Sequence, residues 1–191
     1  MTSTRAELRA ELRARRAALR PGERLAAADA VARHLGERPE LREPGYVAGY
    51  WAVNGELPLH AVQLRLAPGQ VWCLPVTTPG GGLRFAPWRA GDPLAPNRYG
   101  IPEPVSETTL APDEMTVVLL PLLGFGRYGT RLGMGGGYYD RAFGFRRGQA
   151  APPRLVGIGY ACQETDGLAA EDWDVPLDAI VTEAGFLAFG R

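Results

Sequence analysis

The sequence predicts a single α/β domain on three observations. From Tyr46 onward, short apolar runs bounded by glycine and proline alternate with helical stretches, the pattern of buried strands in a layered α/β fold. Two stretches with apolar residues at helical spacing come before them. The chain has 191 residues, 46% hydrophobic and 22% charged, which suits one substantial core over residues 1–191 rather than two.

Taken in order, Thr4 and Glu7 are spaced as a capping box ahead of Leu8, Leu12 and Leu19. Pro21-Gly22 breaks that run, so an Arg-rich helix is expected over 4–20. A second helix follows, with Leu25, Ala28, Ala32 and Leu35 at helical spacing and Gly36 as its stop. Buried strands are expected at 46–51, 71–74, 116–120, 155–159 and 179–181. Pro58 suits the first turn of a helix over 58–66, and another helix is expected over 138–145. Residues 76–115 hold proline, glycine and few periodic positions, which predicts loops with one short strand near 83–86. No internal repeat is visible.

Charge and residue types narrow the function. The 21 basic residues balance 21 acidic ones, so no global field draws a nucleic acid, and a small, locally recognised ligand is expected. Every basic residue is arginine. The lack of lysine removes Schiff-base chemistry and the lysine of a G-x-x-x-x-G-K-[ST] phosphate loop. Cys73 and Cys162 suggest neither a disulfide framework nor a cysteine zinc cluster, and fit a reducing compartment. His34 and His60 lack metal-ligand spacing, and Ser3 and Ser106 build no nucleophile motif. Arg and Glu interleave with Leu near the N-terminus without an uninterrupted apolar run. That predicts neither a signal peptide nor a membrane span, and a cytoplasmic protein.

The most informative segment runs from Val117 through a long loop to Arg141. Gly133, Gly135, Gly136 and Gly137 can take positive φ and let backbone N–H groups approach phosphate oxygens without Cβ interference. The N-terminus of the helix after them adds partial positive charge. Arg131 can fork onto a phosphate, and Asp140 can hold magnesium, which takes carboxylate and phosphate oxygens together. Taken alone, three consecutive glycines form no more than a flexible turn.

Context decides against that. The arrangement R-L-G-x-G-G-G-Y-Y-D after a buried strand resembles the signature of the 5-formyltetrahydrofolate cyclo-ligase family, also called methenyltetrahydrofolate synthetases. The resemblance implies an ATP site on Arg131, Leu132, Gly133, Met134, Gly135, Gly136, Gly137, Tyr138 and Tyr139. Arg131 and Tyr138 fall in catalytic positions, and Tyr138 is shared with the substrate. Arg5-Ala6-Glu7-Leu8-Arg9 resembles the family's basic-x-x-Leu-Arg helix start, which implies that Arg5 and Arg9 reach the phosphates. Family members usually carry lysine where Arg5 stands. Gly49 to Leu57 is similar to the family's strand-loop element and implies that Glu56 accepts hydrogen bonds from the pterin. A carboxylate suits adjacent ring N–H and amino donors, although a glutamate there would also cap a following helix. Trp51 is expected to flank the pterin or its aryl tail.

Asn97 to Pro104 resembles the family's x-x-[aromatic]-x-Ile-x-Glu-Pro segment, placing Tyr99 against the substrate. The closing strand at Leu155 to Tyr160 and the turn Asp172 to Asp178 are similar to the family's C-terminal part, and imply that Asp174 assists Asp140 with magnesium. One departure stands out: the family usually reads F-D where this chain has Phe125-Gly126. An aspartate there would serve either as a turn former ahead of Gly129 or at the metal site.

The resemblance implies a mostly parallel central sheet with helices on both faces and a ligand crevice at the strand ends. It implies ATP-dependent cyclisation of 5-formyltetrahydrofolate to 5,10-methenyltetrahydrofolate. The expected partners are the folate and ATP, with Mg2+ and with no nucleic acid or membrane, on a monomer. Two rival readings are a nucleotide- or folate-binding module with weak catalysis, and RNA or membrane binding by the first helix. Glu7 and Glu11 interrupt the positive charge that the latter would need.

Overall fold

The computed structural model describes residues 4–166 and 168–190, so Ser3 and the outermost residues of the expected 1–191 domain lie outside the described residues. The chain runs α1 (Arg5–Ala17), α2 (Pro21–Gly36), β1 (Gly45–Ala48), α3 (His60–Gln63), β2 (Gln70–Thr77), β3 (Leu83–Pro87), β4 (Leu94–Pro96), β5 (Pro102–Pro104), β6 (Val117–Pro121), β7 (Gly124–Phe125), β8 (Arg131–Leu132), α4 (Tyr138–Ala142), β9 (Arg154–Ile158), β10 (Ala179–Thr182) and β11 (Gly185–Ala188).

The capping box forms: the Thr4 hydroxyl accepts from Glu7 N–H and the Glu7 carboxylate accepts from Thr4 N–H at 2.7 Å. Pro21 does more than end this run. It opens α2 in its first turn, where its missing N–H costs nothing.

Seven strands form one sheet in the order β11-β10-β9-β6-β1-β2-β3. The five inner strands are parallel, and β3 and β11 close the two edges antiparallel. β6 is buried on both faces, as an inner parallel strand must be. Val117 and Leu119 pack beneath Ala28, Val31 and Leu35 of α2. Val118 and Leu120 pack on the other face with Met115, Phe143, Val175 and Leu177. Short α4, a 3-10 turn at Gly144–Arg147 and loops cover that second face. α1 docks on neither face. Its Leu8 and Leu12 join Leu123, Leu132 and Leu168 in a separate cluster beyond the end of β6, which sets its arginines at the strand ends.

Several elements differ from their sequence outlines. The helix expected over 58–66 is the single turn His60–Gln63, because Leu57 and Leu59 anchor in the core ahead of it. The helix over 138–145 is α4 alone, and Gly144 passes the chain into the 3-10 turn. Residues 76–115 hold the hairpin β4–β5 as well as β3. Two-residue β7 and β8 pair inside the expected loop, and edge strand β11 follows β10.

Candidate active site

A cavity of about 930 Å3 opens where the chain leaves the C-terminal ends of β1 and β6. Strand order reverses between these neighbours, since β1 leads outward to β2 and β6 to β9. Open α/β sheets bind ligands at such a switch point.

The glycine turn after β8 forms one wall. Gly135 and Gly137 have positive φ, +106° and +64°, which their lack of Cβ permits. Gly133 and Gly136, expected to need the same freedom, do not use it. At Gly136 the constraint is room, since a Cβ would stand 3.1 Å from the Tyr138 ring. The helix that follows has only five residues, so loop amides rather than a long helix dipole supply the positive potential. The Leu132 side chain is fully buried in the α1 cluster, which leaves only its backbone, between Arg131 and Gly133, to serve the cavity.

α1 supplies the facing wall. Arg5 and Arg9 are four residues apart and both line the cavity. Arg9 Nε donates to the Gly133 carbonyl at 3.0 Å, tying the helix to the glycine turn. Arg131 sits at 6% exposure with its Nε unpartnered, a buried donor free for an acceptor.

The two expected metal carboxylates share one wall. Val175 N–H donates to Asp140 Oδ1 at 3.2 Å, which brings the Asp174 turn against Asp140. Each is paired with an arginine: Asp140 with Arg131 at 2.5 Å, and Asp174 with Arg5, which also reaches Glu171 at 3.6 Å. Among the described residues no cluster of three His, Cys, Asp or Glu forms a protein cage for a metal. Two carboxylates in the cavity lining suit magnesium, a hard ion that completes its shell with phosphate oxygens and water.

Glu56 ends a tight turn. Asn54 and Gly55 both have positive φ, 52° and 77°, as an Asn-Gly turn supplies. Glu56 N–H donates to the Val53 carbonyl at 2.9 Å, and Val53 N–H returns a bond to Glu56 Oε2 at 3.0 Å. The alternative role, capping of a following helix, is absent, since α3 starts only at His60. Burial raises the Glu56 pKa, opposed by the Val53 N–H and by Arg16.

Aromatic residues close the mouth. The Tyr99 and Tyr138 hydroxyls lie 2.9 Å apart, and Arg98 also donates to Tyr138. Bonds from Tyr99 and then Arg98 lower the Tyr138 pKa, whereas burial raises that of Tyr139. Asn97 holds the Tyr99 turn through its Oδ1, and Glu103 ties the arm to Thr77 N–H at 3.0 Å. Trp51 departs from its expected place. It is 37% exposed and meets Trp88 edge to face, outside the cavity lining.

Among the lining residues that escaped the sequence reading, Arg141, Arg147 and Trp173 carry the most chemistry. Trp173 is 59% exposed, and its position beside Asp174 was the available signal. Among the described residues five arginines and three carboxylates line the cavity, an excess of positive charge that suits a polyphosphate. Cys73 is buried in the other core cluster with its thiol pushed up to about 12, so it is no nucleophile. The chemistry open to this lining is positioning and charge neutralisation.

The sequence profile of the 5-formyltetrahydrofolate cyclo-ligase family matches residues 1–183. The chain is 33% identical over 181 residues to a 5-formyltetrahydrofolate cyclo-ligase of Haemophilus influenzae, covering 92% of this chain and 96% of the relative. It is 34% identical over 177 residues to the Escherichia coli K12 protein of the same name, covering 90% and 96%. The NMR structure of Aquifex aeolicus 5,10-methenyltetrahydrofolate synthetase superposes with a TM-score of 0.82 at 28% identity, over 98% of this chain and 94% of that one. A Mycoplasma pneumoniae 5,10-methenyltetrahydrofolate synthetase shares the fold, with a TM-score of 0.72 at 22% identity over 95% and 99%.

Proposed function

Because the chain belongs to the 5-formyltetrahydrofolate cyclo-ligase family, we propose that this one cavity holds ATP and the folate together and that the formyl oxygen is phosphorylated there. The overall reaction is ATP-dependent cyclisation of 5-formyltetrahydrofolate to 5,10-methenyltetrahydrofolate. In our reading the formyl oxygen attacks the γ-phosphorus and ADP leaves. The nitrogen at position 10 then attacks the activated carbon, loses its proton, and phosphate departs. The observation that carries this reading is the meeting of the arginine-lined glycine turn and the Glu56 turn in a single cavity at the sheet's switch point.

Side chains do little covalent work in this scheme. Arg5, Arg9, Arg131 and the amides of 133–137 would offset phosphate charge, the dominant requirement in phosphoryl transfer. Glu56 would accept from the pterin, with Tyr99 and Tyr138 over the remainder of the folate. Asp140 and Asp174 would hold magnesium together with phosphate oxygens. Magnesium, when bound, neutralises charge on the transferring phosphoryl group.

The balanced charge and the burial of α1's apolar face favour a small-molecule enzyme over RNA or membrane binding, and no helix among the described residues is long and apolar enough to cross a membrane. We read it as a cytoplasmic monomer. Gly126, whose departure from the family pattern would favour a module with weak catalysis, lies outside the cavity lining. Incubation with ATP, magnesium and 5-formyltetrahydrofolate, following methenyl absorbance, tests the reading. Turnover that needs all three is expected, and ATP binding without turnover would favour the module.

A further inference from the structure

Outside the cavity lining, α1 buries a cation that the scheme above leaves unused. Arg16 is only 2% exposed, and its Nη1 has no hydrogen-bond partner. The buried hydroxyl of Tyr160 also has none. An arginine without a matched partner is costly to bury and needs an opposite charge nearby to offset that cost.

The surroundings of Arg16 identify that need. Arg24 donates from Nη2 to the Arg16 carbonyl at 3.1 Å and from Nε to the Leu19 carbonyl at 3.1 Å. The Asn54-Gly55 turn rests on the same Arg24: a Cβ on Gly55 would come within 2.9 Å of its Nη1. The α1–α2 junction and the Glu56 turn are therefore one packed unit. The groups acting on Arg16 are Glu56, Tyr160, Tyr50 and Arg24, and Glu56 is the one carboxylate among them. Glu56 also acts electrostatically on Tyr50, whose hydroxyl donates to the Leu57 carbonyl at 2.7 Å, and on the buried Tyr139 of α4. Arg16 is the cation that opposes its protonation.

We propose that Arg16 is a positioning residue of the folate subsite, whose buried charge keeps Glu56 an ionised acceptor for the pterin donors. The proposal rests on the reading of Glu56 as the pterin acceptor. A buried carboxyl left alone takes up a proton, and the neutral acid presents a donor where the pterin needs a second acceptor. Arg16 thus acts on the folate through Glu56, as Arg5 and Arg9 of the same helix act on the phosphates.

The test is the pH dependence of kcat/KM for the folate at saturating ATP, in the wild type, Arg16→Met, Arg16→Lys and Glu56→Gln. Loss of the charge moves the acid limb of the profile to higher pH in Arg16→Met, the direction in which removing an opposite charge shifts a carboxyl. The KM for ATP stays unchanged, activity recovers at alkaline pH, and Arg16→Lys restores the wild-type limb. A loss of the same factor at every pH, with lysine no better than methionine, would reduce Arg16 to a packing residue and overturn the proposal. If Arg16→Met does not fold, Arg16→Gln is read in the same way, with the Glu56 carboxyl followed directly by isotope-edited infrared spectroscopy. A normal folate KM in Glu56→Gln sinks the underlying reading of Glu56, an outcome separate from an unshifted limb in the Arg16 variants.

Discussion

Arg131 donates from Nη2 to Asp140 Oδ1 at 2.5 Å, so the arginine assigned to the phosphates and the aspartate assigned to magnesium are each other's partners. The same Oδ1 accepts the Val175 N–H at 3.2 Å, which fastens the C-terminal turn carrying Trp173 and Asp174 to α4. One carboxylate thereby orients Arg131 and a second acidic segment.

Asp140→Asn should damage both stability and turnover. It leaves the guanidinium of Arg131, 6% exposed, without its counter-charge. Losing a charge-assisted bond at such a site costs about 1.5–3 kcal/mol. Urea denaturation should report that loss, and kcat should fall by about tenfold or more, since an interaction with the phosphoryl group worth about 1.4 kcal/mol or more is disturbed.

Gly135→Ala tests the anion cradle. At φ +106° an L residue is strained by about 1–3 kcal/mol, and the relaxed turn would no longer aim its amides at the phosphates. Calorimetry should show ATP affinity reduced by about tenfold or more with folate binding retained. Gly136→Val should weaken ATP as well, through the Tyr138 ring its side chain would strike.

Glu56→Gln separates the two substrates. It exchanges one acceptor for a donor facing the pterin, so KM for the folate should rise about 10- to 150-fold while KM for ATP moves little. Stability should change in the opposite sense. Burial raises the folded-state pKa of Glu56 above its unfolded value, so wild-type stability is highest below the unfolded pKa and is lost as pH rises through the folded one. The glutamine variant should therefore melt higher than the wild type at neutral pH, and the difference should vanish in acid.

Gly126→Asp restores the residue usual in the family. Gly126 sits in the turn joining β7 to β8, where its N–H donates to the Thr130 carbonyl at 3.0 Å, and it does not line the cavity. A Cβ there would stand 2.4 Å from Thr130 Oγ1. The half-saturating magnesium concentration should stay constant, and stability should drop by about 1 kcal/mol, recovered in part by Thr130→Ala. A fall in magnesium requirement would give this position the metal role instead.

How much of this was legible in the sequence depended on the reach of the interactions involved. The α1 start could be read because Thr4 and Glu7 satisfy each other three residues apart, and the glycine turn because its residues are contiguous. Glu56 was picked out only through the resemblance of Gly49 to Leu57 to the family's element, and its Asn54-Gly55 turn went unread. The β7–β8 pairing was not, since two-residue strands carry no periodicity. Trp51 was misplaced because its partner Trp88 lies beyond two strands, and nothing local says which aromatic will cover it. Leu132 sits inside a binding motif yet points away from the cavity, a consequence of α1 docking from the other end of the sequence. The arginine pairings of Asp140 and Asp174 likewise join distant or opposite segments. Arg16 looked like one more charge on a basic helix, and only its burial set it apart.

The central claim is that the formyl oxygen is the phosphoryl acceptor within this cavity. Folate carrying 18O in the formyl group, turned over with ATP in ordinary water, tests it most directly by mass analysis of the released phosphate. The account predicts one 18O in each phosphate released, in step with methenyl product and ADP. Unlabelled phosphate accompanying normal product formation would contradict it.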